Sequence, residues 1–223
     1  MAVDINNYNS ILKEVTACGA GLVAVSKTKP MSDILQLREL GQVDFGENYV
    51  QELQQKSAEA DHEIRWHFIG HLQSNKAKNI CGFVHLIHGA DSLSTITEVG
   101  KHSVKHDRVT DVLLQVRIAR EETKYGLTYD ALDTFMVSLI ENPIQGVRIR
   151  GLMGMATNTE DTAIISEEFR GLRKTFERLR AGSGEAEGFL FDTLSMGMTS
   201  DDKIALAEGS TLVRIGSAIF GHR

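Results

Sequence analysis

The chain predicts an α/β fold closed into a single (β/α)8 barrel, and three observations carry that expectation. Short apolar segments rich in β-branched residues recur, each followed by a stretch of helical composition. These segments read as nearly unbroken apolar runs, as strands buried on both faces do, and helical connections between strands make the strands parallel. No Pro/Gly/Ser linker, charge block or internal repeat divides the 223 residues, a length such barrels reach without splitting. One domain over residues 1–223 is therefore expected. An open doubly wound sheet is the rival, because periodicity does not show closure.

A helix over residues 5–17 comes first. Strand one, residues 22–26, leads through Lys27 and Pro30 into a helix over 32–40. Strand two, 42–45, precedes a helix over 49–60 that Asn48 is placed to cap while Gln51 reaches back. Strands three and four are expected at 64–69 and 83–87, with a helix over 92–106 after the latter. Strand five, 111–118, is followed by a helix over 129–140, and strand six, 147–153, by a helix over 162–180. Strand seven, 189–194, leads through Ser200 into a helix over 201–208, with Asp201 and Asp202 at its positive end and Gly209 past its last turn. Strand eight, 212–215, completes the set, and both prolines, Pro30 and Pro143, fall at element edges.

A net charge of −6 and a pI near 5.8 argue against nucleic acid or an anionic membrane surface as partner, since either needs a clustered basic face. No secretory pattern opens the chain and no apolar run approaches the roughly 20 residues a bilayer span requires. Cys18 and Cys81 are far apart without C-x-x-C spacing, which suits a reducing compartment and two small buried hydrophobes. A cytoplasmic protein is expected.

A barrel builds its site at the C-terminal ends of its strands. Lys27 follows strand one, and an ammonium carried out of a buried strand is disfavoured by desolvation, which pushes lysine toward the nucleophilic amine that forms Schiff bases. Glu47 and Asn48 follow strand two, His71 strand three, Asp91 strand four, and Arg117 and Met153 lie late in strands five and six. Ser195 follows strand seven in Ser195-Met-Gly-Met-Thr-Ser200, and strand eight ends in Arg214-Ile-Gly-Ser217. Loops seven and eight of barrels often seat phosphate, with glycines admitting the oxygens to backbone N–H groups, although Gly197 and Gly216 taken singly also read as turn glycines. Strand alternation places Leu212, Arg214 and Gly216 on one face; if that face is the interior, a permanent guanidinium points into the site. No metal site is expected: His67 and His71, and His85 with His88, lack the spacing of a zinc hydrolase. His102 and His106 share a charged helix face, and Glu121-Glu122 before Lys124 reads as a solvated loop.

These pieces resemble the pyridoxal phosphate homeostasis proteins, single-domain relatives of the alanine racemase barrel. The matching segments are Leu22-Val-Ala-Val-Ser-Lys-Thr-Lys-Pro30, Phe45-Gly-Glu-Asn-Tyr-Val-Gln-Glu52, Trp66-His-Phe-Ile-Gly-His-Leu-Gln-Ser-Asn-Lys76, Gly151-Leu-Met-Gly-Met155, Leu194-Ser-Met-Gly-Met198 and Val213-Arg-Ile-Gly-Ser-Ala-Ile-Phe-Gly221. They span almost the whole chain in order. The resemblance implies a fold-type III pyridoxal barrel whose cofactor is pyridoxal 5'-phosphate, held by Lys27 as an internal aldimine. Spacing alone leaves Lys27 and Lys29 equivalent, since both have the same strand parity. Ser195, Thr199, Gly216 and Ser217 match phosphate-contacting positions, Arg214 matches the residue facing the pyridine nitrogen, and Asn48, His71 and Met153 match pocket positions. Arg117 and Tyr125 depart from the family pattern, which puts the loop after strand five in doubt.

A racemase needs bases on both faces of the substrate α-carbon, and the larger relatives take the second from an appended domain that this chain is not expected to carry. Of Tyr8, Tyr49, Tyr125 and Tyr129, Tyr49 is best placed to substitute. A protonated arginine also keeps the pyridine nitrogen unprotonated and weakens the cofactor as an electron sink. The expectation is a non-catalytic protein that buffers or delivers the cofactor and influences amino-acid and keto-acid balance. Its expected partners are the cofactor, amino acids and cofactor-free pyridoxal enzymes, with a monomeric state. A weak amino-acid racemase is the alternative, and a cofactor-free lysine aldolase a third reading.

Overall fold

The computed structural model describes residues 3–60, 63–121, 124–183 and 186–221. Eight parallel strands close into a barrel in sequence order: β1 (Gly21–Val25), β2 (Asp44–Glu47), β3 (Arg65–Phe68), β4 (Leu86–Ala90), β5 (Thr110–Val116), β6 (Val147–Gly154), β7 (Phe189–Ser195) and β8 (Leu212–Ile215). The pairing of β8 with β1, from Gly21 opposite Leu212 to Ala24 opposite Ile215, excludes the open sheet. Helix α1 (Ile5–Ala17) precedes the barrel, and α2 (Met31–Glu39), α3 (Val50–Glu59), α4 (Leu93–Val104), α5 (Tyr129–Glu141), α6 (Thr162–Ser183), α7 (Asp202–Ala207) and α8 (Ser217–Phe220) wrap it. A 3-10 turn, Ser74–Asn79, stands between β3 and β4. Among the described residues no helix is long and apolar enough to cross a membrane.

Two strands are displaced from their expected bounds. β2 starts two residues later because the buried Gln42 is a plug: its Nε2 donates to Leu22 O at 2.8 Å and Asp44 O at 2.7 Å, and its Oε1 accepts from Tyr8 Oη at 3.2 Å. β4 starts at Leu86 because Phe83 and Val84 close a turn onto Ile80 O. It then runs through His88 and Gly89, where a Cβ would lie 2.5 Å from Gly70 O. Polar and minimal side chains in a ladder hide it from a search for apolar runs. The caps differ too. Tyr49, not Asn48, is the first cap of α3 and makes no side-chain bond, while Asp201, not Ser200, caps α7, its carboxylate turned back to accept from Met198 N at 2.5 Å.

Outward-facing strand residues such as Phe45, Phe68, Ile87, Leu114 and Leu152 pack against Leu37, Leu53, Ile96, Leu132 and Phe169 of the helices. Each such side chain contributes about 1.5–3 kcal/mol by leaving water. In α6 the buried residues Ile165, Phe169, Leu172, Phe176 and Leu179 recur every three or four positions, so one face meets the barrel. Buried Cys81 belongs to this packing, its thiol pushed up to about 11 by burial, and Cys18 is exposed. The start and finish of the fold are sewn together: Asp4 N donates to Ile219 O at 2.9 Å, Asn7 Nδ2 to Ala218 O at 2.6 Å, and Lys29 Nζ to Phe220 O at 2.8 Å and Gly221 O at 3.2 Å.

Inside the barrel the apolar filling is small. Leu86, Leu113 and Met153 form a separate cluster, joined by Met155 and Leu212. Barrel interiors are ordinarily layered with bulky branched side chains. Here His67, His88, Ser195 and Arg214 are buried.

Candidate functional site

A cavity of about 730 Å³ opens at the C-terminal ends of the strands. β1 delivers Val25 and, two residues on, Lys27; the loops after β2, β7 and β8 deliver Asn48, Thr199 and Ser217. Val25, Ile69, Met155 and Met198 supply its apolar walls.

The turn that carries Lys27 is held from behind. Thr28 sits at φ +66°, a left-handed conformation unusual for a branched residue, and its N–H donates to Glu52 Oε1 at 2.6 Å. Buried Ser26 donates to Glu47 Oε1 at 2.5 Å, and Lys56 Nζ reaches Ser26 O, Glu47 Oε1 and Glu52 Oε1, each at 2.8 Å. Burial raises the Glu47 carboxyl despite Lys56 and Ser26 pulling it down. The Lys56–Glu47 pair is thus a buried anchor for the lysine turn, and its two members lie nine residues apart in one strand-to-helix unit.

Lys27 and Lys29 both line the cavity. The Lys29 ammonium is engaged with the carbonyls of Phe220 and Gly221, a structural tie. Lys27 is half-buried at the cavity wall.

Leu212 and Arg214 face the barrel interior, as alternation implies, and Arg214 forms part of the cavity wall while only 4% exposed. Its Nη1 donates to Ser195 Oγ at 2.5 Å and its Nη2 to Gly154 O at 3.2 Å. Burial lowers the guanidinium to about 10, with the Asp201 charge opposing, so it remains a cation at neutral pH. Gly197 is at φ +96°, and a Cβ there would lie 2.5 Å from Ala205 Cβ. The loop after β7 can therefore pack on α7 only with glycine. Gly216 N donates to Thr199 Oγ1 at 3.4 Å, joining the loops after β7 and β8.

Of the residues singled out in the sequence, Lys27, Asn48, Thr199, Arg214, Gly216 and Ser217 line this one cavity. Three others stand elsewhere. Met153 is 1% exposed inside the barrel, and the wall position falls one pleat on, at Met155. Ser195 is fully buried, its oxygen engaged by Arg214 and His88. His71 is exposed and stacks on Tyr125, ring centroids 4.0 Å apart, with Asp91 3.5 Å away. That contact accounts for the tyrosine in the loop after β5. Glu122 of that loop lies outside the described residues. No described tyrosine lines the cavity; Tyr49 points into solvent at 50% exposure.

At the opposite mouth, Asp44, His67 and His85 bring donor atoms within 4.8 Å of one another, which spacing along the chain does not foretell. Hydrogen bonds account for Asp44 and His67: Asp44 Oδ1 meets His67 Nε2 at 2.9 Å and Asp44 Oδ2 accepts from Arg65 Nη2 at 2.5 Å.

The residues present suit a phosphorylated aldehyde with an aromatic ring: a primary amine, a buried cation, hydroxyls on glycine-bearing loops and apolar walls. Residues 5–223 match the family model of the alanine racemase N-terminal domain. A pyridoxal phosphate homeostasis protein of Pasteurella multocida is 39% identical over 206 residues, covering 91% of this chain and 86% of its own. The chain belongs to the pyridoxal phosphate homeostasis protein family. Its Escherichia coli K12 member is 36% identical over 224 residues, covering 96% of this chain and 93% of its own. PipY of Synechococcus elongatus, solved without PLP, superposes with a TM-score of 0.89 at 32% identity over 97% of this chain and 99% of that one. The same protein with PLP bound gives 0.86 at 31%. Alanine racemase from Bartonella henselae, 18% identical with a TM-score of 0.71, shares the fold, and the match takes in 57% of that chain.

Proposed function

We propose that the cavity binds pyridoxal 5'-phosphate, that Lys27 is its covalent anchor, and that the protein keeps the cofactor in reserve as a non-catalytic homeostasis protein. When bound, the cofactor supplies an aldehyde that condenses with an amine. The observation that carries the reading is the placement of Lys27 and Arg214 in one cavity with Thr199, Gly216 and Ser217. Thr199, Gly216 and Ser217 hold the phosphate, and Arg214 faces the ring nitrogen. Asn48, Ile69 and Met155 confine the ring.

Arg214 remains a cation and only donates hydrogen bonds, so it holds the ring nitrogen unprotonated and keeps the electron sink weak. Among the described residues no tyrosine lines the cavity, so the wall offers no counterpart of the tyrosine that a racemase of this barrel type would use. Both points favour a carrier over a racemase. The reading extends to a monomeric cytoplasmic protein acting as one unit over residues 1–223, exchanging its cofactor with amino acids and with cofactor-free enzymes.

Lys27→Ala decides the anchor. The wild-type protein loaded with cofactor shows the visible absorption of a lysine-linked pyridoxal and survives gel filtration loaded; the variant loses both. A variant that keeps the band overturns the assignment. In deuterated water with L-amino acids, the loaded wild type shows no Lys27-dependent α-proton exchange; rapid exchange would make it a racemase.

A further inference from the structure

The interior holds a file of polar side chains that the cofactor cavity alone does not explain. It runs from Arg214 Nη1 to Ser195 Oγ at 2.5 Å, on to His88 Nδ1 at 3.1 Å, from His88 Nε2 to His67 Nδ1 at 2.9 Å, and from His67 Nε2 to Asp44 Oδ1 at 2.9 Å. It crosses the barrel from β8 and β7 to β4, β3 and β2, from the cavity to the opposite mouth. Buried polar groups are tolerated only when satisfied. Both nitrogens of each imidazole are used.

The two ends limit the direction of the bonds. A guanidinium only donates and a carboxylate only accepts. Asp44 is a carboxylate: burial would raise it, but the hydrogen bonds from His67 and Arg65, with the Arg65 charge, hold it below its ordinary value. His88 is neutral, held far below the usual imidazole range first by burial, with the Arg214 charge acting in the same direction. If each imidazole carries a single proton, one assignment satisfies all four contacts. Arg214 donates to Ser195, Ser195 donates to His88 Nδ1, His88 Nε2–H donates to His67 Nδ1, and His67 Nε2–H donates to Asp44. Other titratable groups face the file at its ends: Arg65 and His85 beside Asp44 and His67, and Asp201 beyond Arg214.

We infer that Asp44, His67 and His88 are positioning residues which, through Ser195, orient Arg214 at the cavity wall, so that the carboxylate at one mouth of the barrel determines how the guanidinium is held at the other. The inference deepens the pyridoxal reading and rests on it. Without the carboxylate the file can run backward. In Asp44→Asn the Arg65 guanidinium still demands an acceptor, so the amide oxygen turns to Arg65 and the amide NH2 to His67. His67 and His88 then carry their protons on Nδ1. Ser195 Oγ receives two donors, its own hydrogen loses its acceptor, and the grip on Arg214 loosens.

Nitrogen-15 NMR of the imidazoles in cofactor-free protein reads the tautomers, and titration with pyridoxal 5'-phosphate reads the consequence. Wild type shows His67 and His88 protonated at Nε2. Asp44→Asn moves both protons to Nδ1 and weakens cofactor binding about fivefold, within the range of coupling between linked sites. Ser195→Ala cuts the file beside Arg214 and weakens binding to a similar degree without disturbing the Asp44–His67 contact, which keeps the inference testable if Asp44→Asn fails to fold. A His88 proton that stays on Nε2 in Asp44→Asn, or wild-type affinity in both variants, overturns the inference while leaving the pyridoxal reading intact. A wild-type protein that takes up no cofactor overturns both.

Discussion

The two mouths of the barrel solve opposite problems with the same strands. The C-terminal mouth keeps space open: it holds a large cavity, a left-handed Thr28, a glycine-bound loop at Gly197, and the buried ion pair Lys56–Glu47 set behind the wall. The N-terminal mouth is filled with part-exposed ion pairs, Asp44 with Arg65, Asp111 with Arg148 and Arg150, and Arg150 with Asp192. Few and buried pairs shape the first, many and hydrated pairs the second. Because desolvation governs what an ion pair is worth, the two ends differ in what removal of a partner does.

The sharpest break comes from Lys56→Met, which leaves Glu47 buried without its cation. Unpairing a buried charge of this kind costs about 3–5 kcal/mol, so denaturant unfolding of the cofactor-free variant shows a lower midpoint and cofactor uptake falls with it. Unchanged stability would mean that the pair is not an anchor.

Acid acts on the other mouth. His85 is depressed to about 4, first by burial and then by His67 and Arg65, against an ordinary value of 6.5. The unfolded chain therefore takes up a proton at His85 before the folded one does, and this contribution is present above pH 6.5 and lost as pH falls toward 4. Asp44, held low, loses its contribution further down, whereas Glu47, held high, works the other way and is stabilising only in acid. His85→Gln removes about 1–3 kcal/mol of the stability lost between pH 6.5 and 4. A pH-stability profile with an unchanged slope in that window would contradict the assignment.

The smallest effect belongs to Arg148→Ala. Its guanidinium is 43% exposed and Asp111 retains Arg150, so about 0–1 kcal/mol is expected in urea unfolding. A loss as large as that of Lys56→Met would erase the distinction between the mouths.

The barrel was legible because most strands are buried on both faces and write themselves as apolar runs. It blurred where a ladder residue is polar or a glycine, as at His88 and Gly89, or where a polar residue beside a strand is a plug, as at Gln42. Loop residues after strand ends were legible by the same logic, and Lys27, Asn48, Thr199 and Ser217 meet at one cavity. Depth along a strand was not. Met153 and Met155 share parity, and only the position of the cavity floor separates them. The file from Arg214 to Asp44 was illegible for a further reason: it joins β7 to β4 across the interior, a contact between strands that are not neighbours in the sheet.

The stitching of α1 and the Lys29 turn to residues 218–221 bears on the order of events during synthesis. β1 emerges from the ribosome well before the partners that finish its loop, β8 and the carbonyls of Phe220 and Gly221, which follow it by almost the whole barrel. A nascent chain presents Lys27 before the chamber around it exists, so a held cofactor certifies that synthesis and folding have passed β8 and residues 218–221.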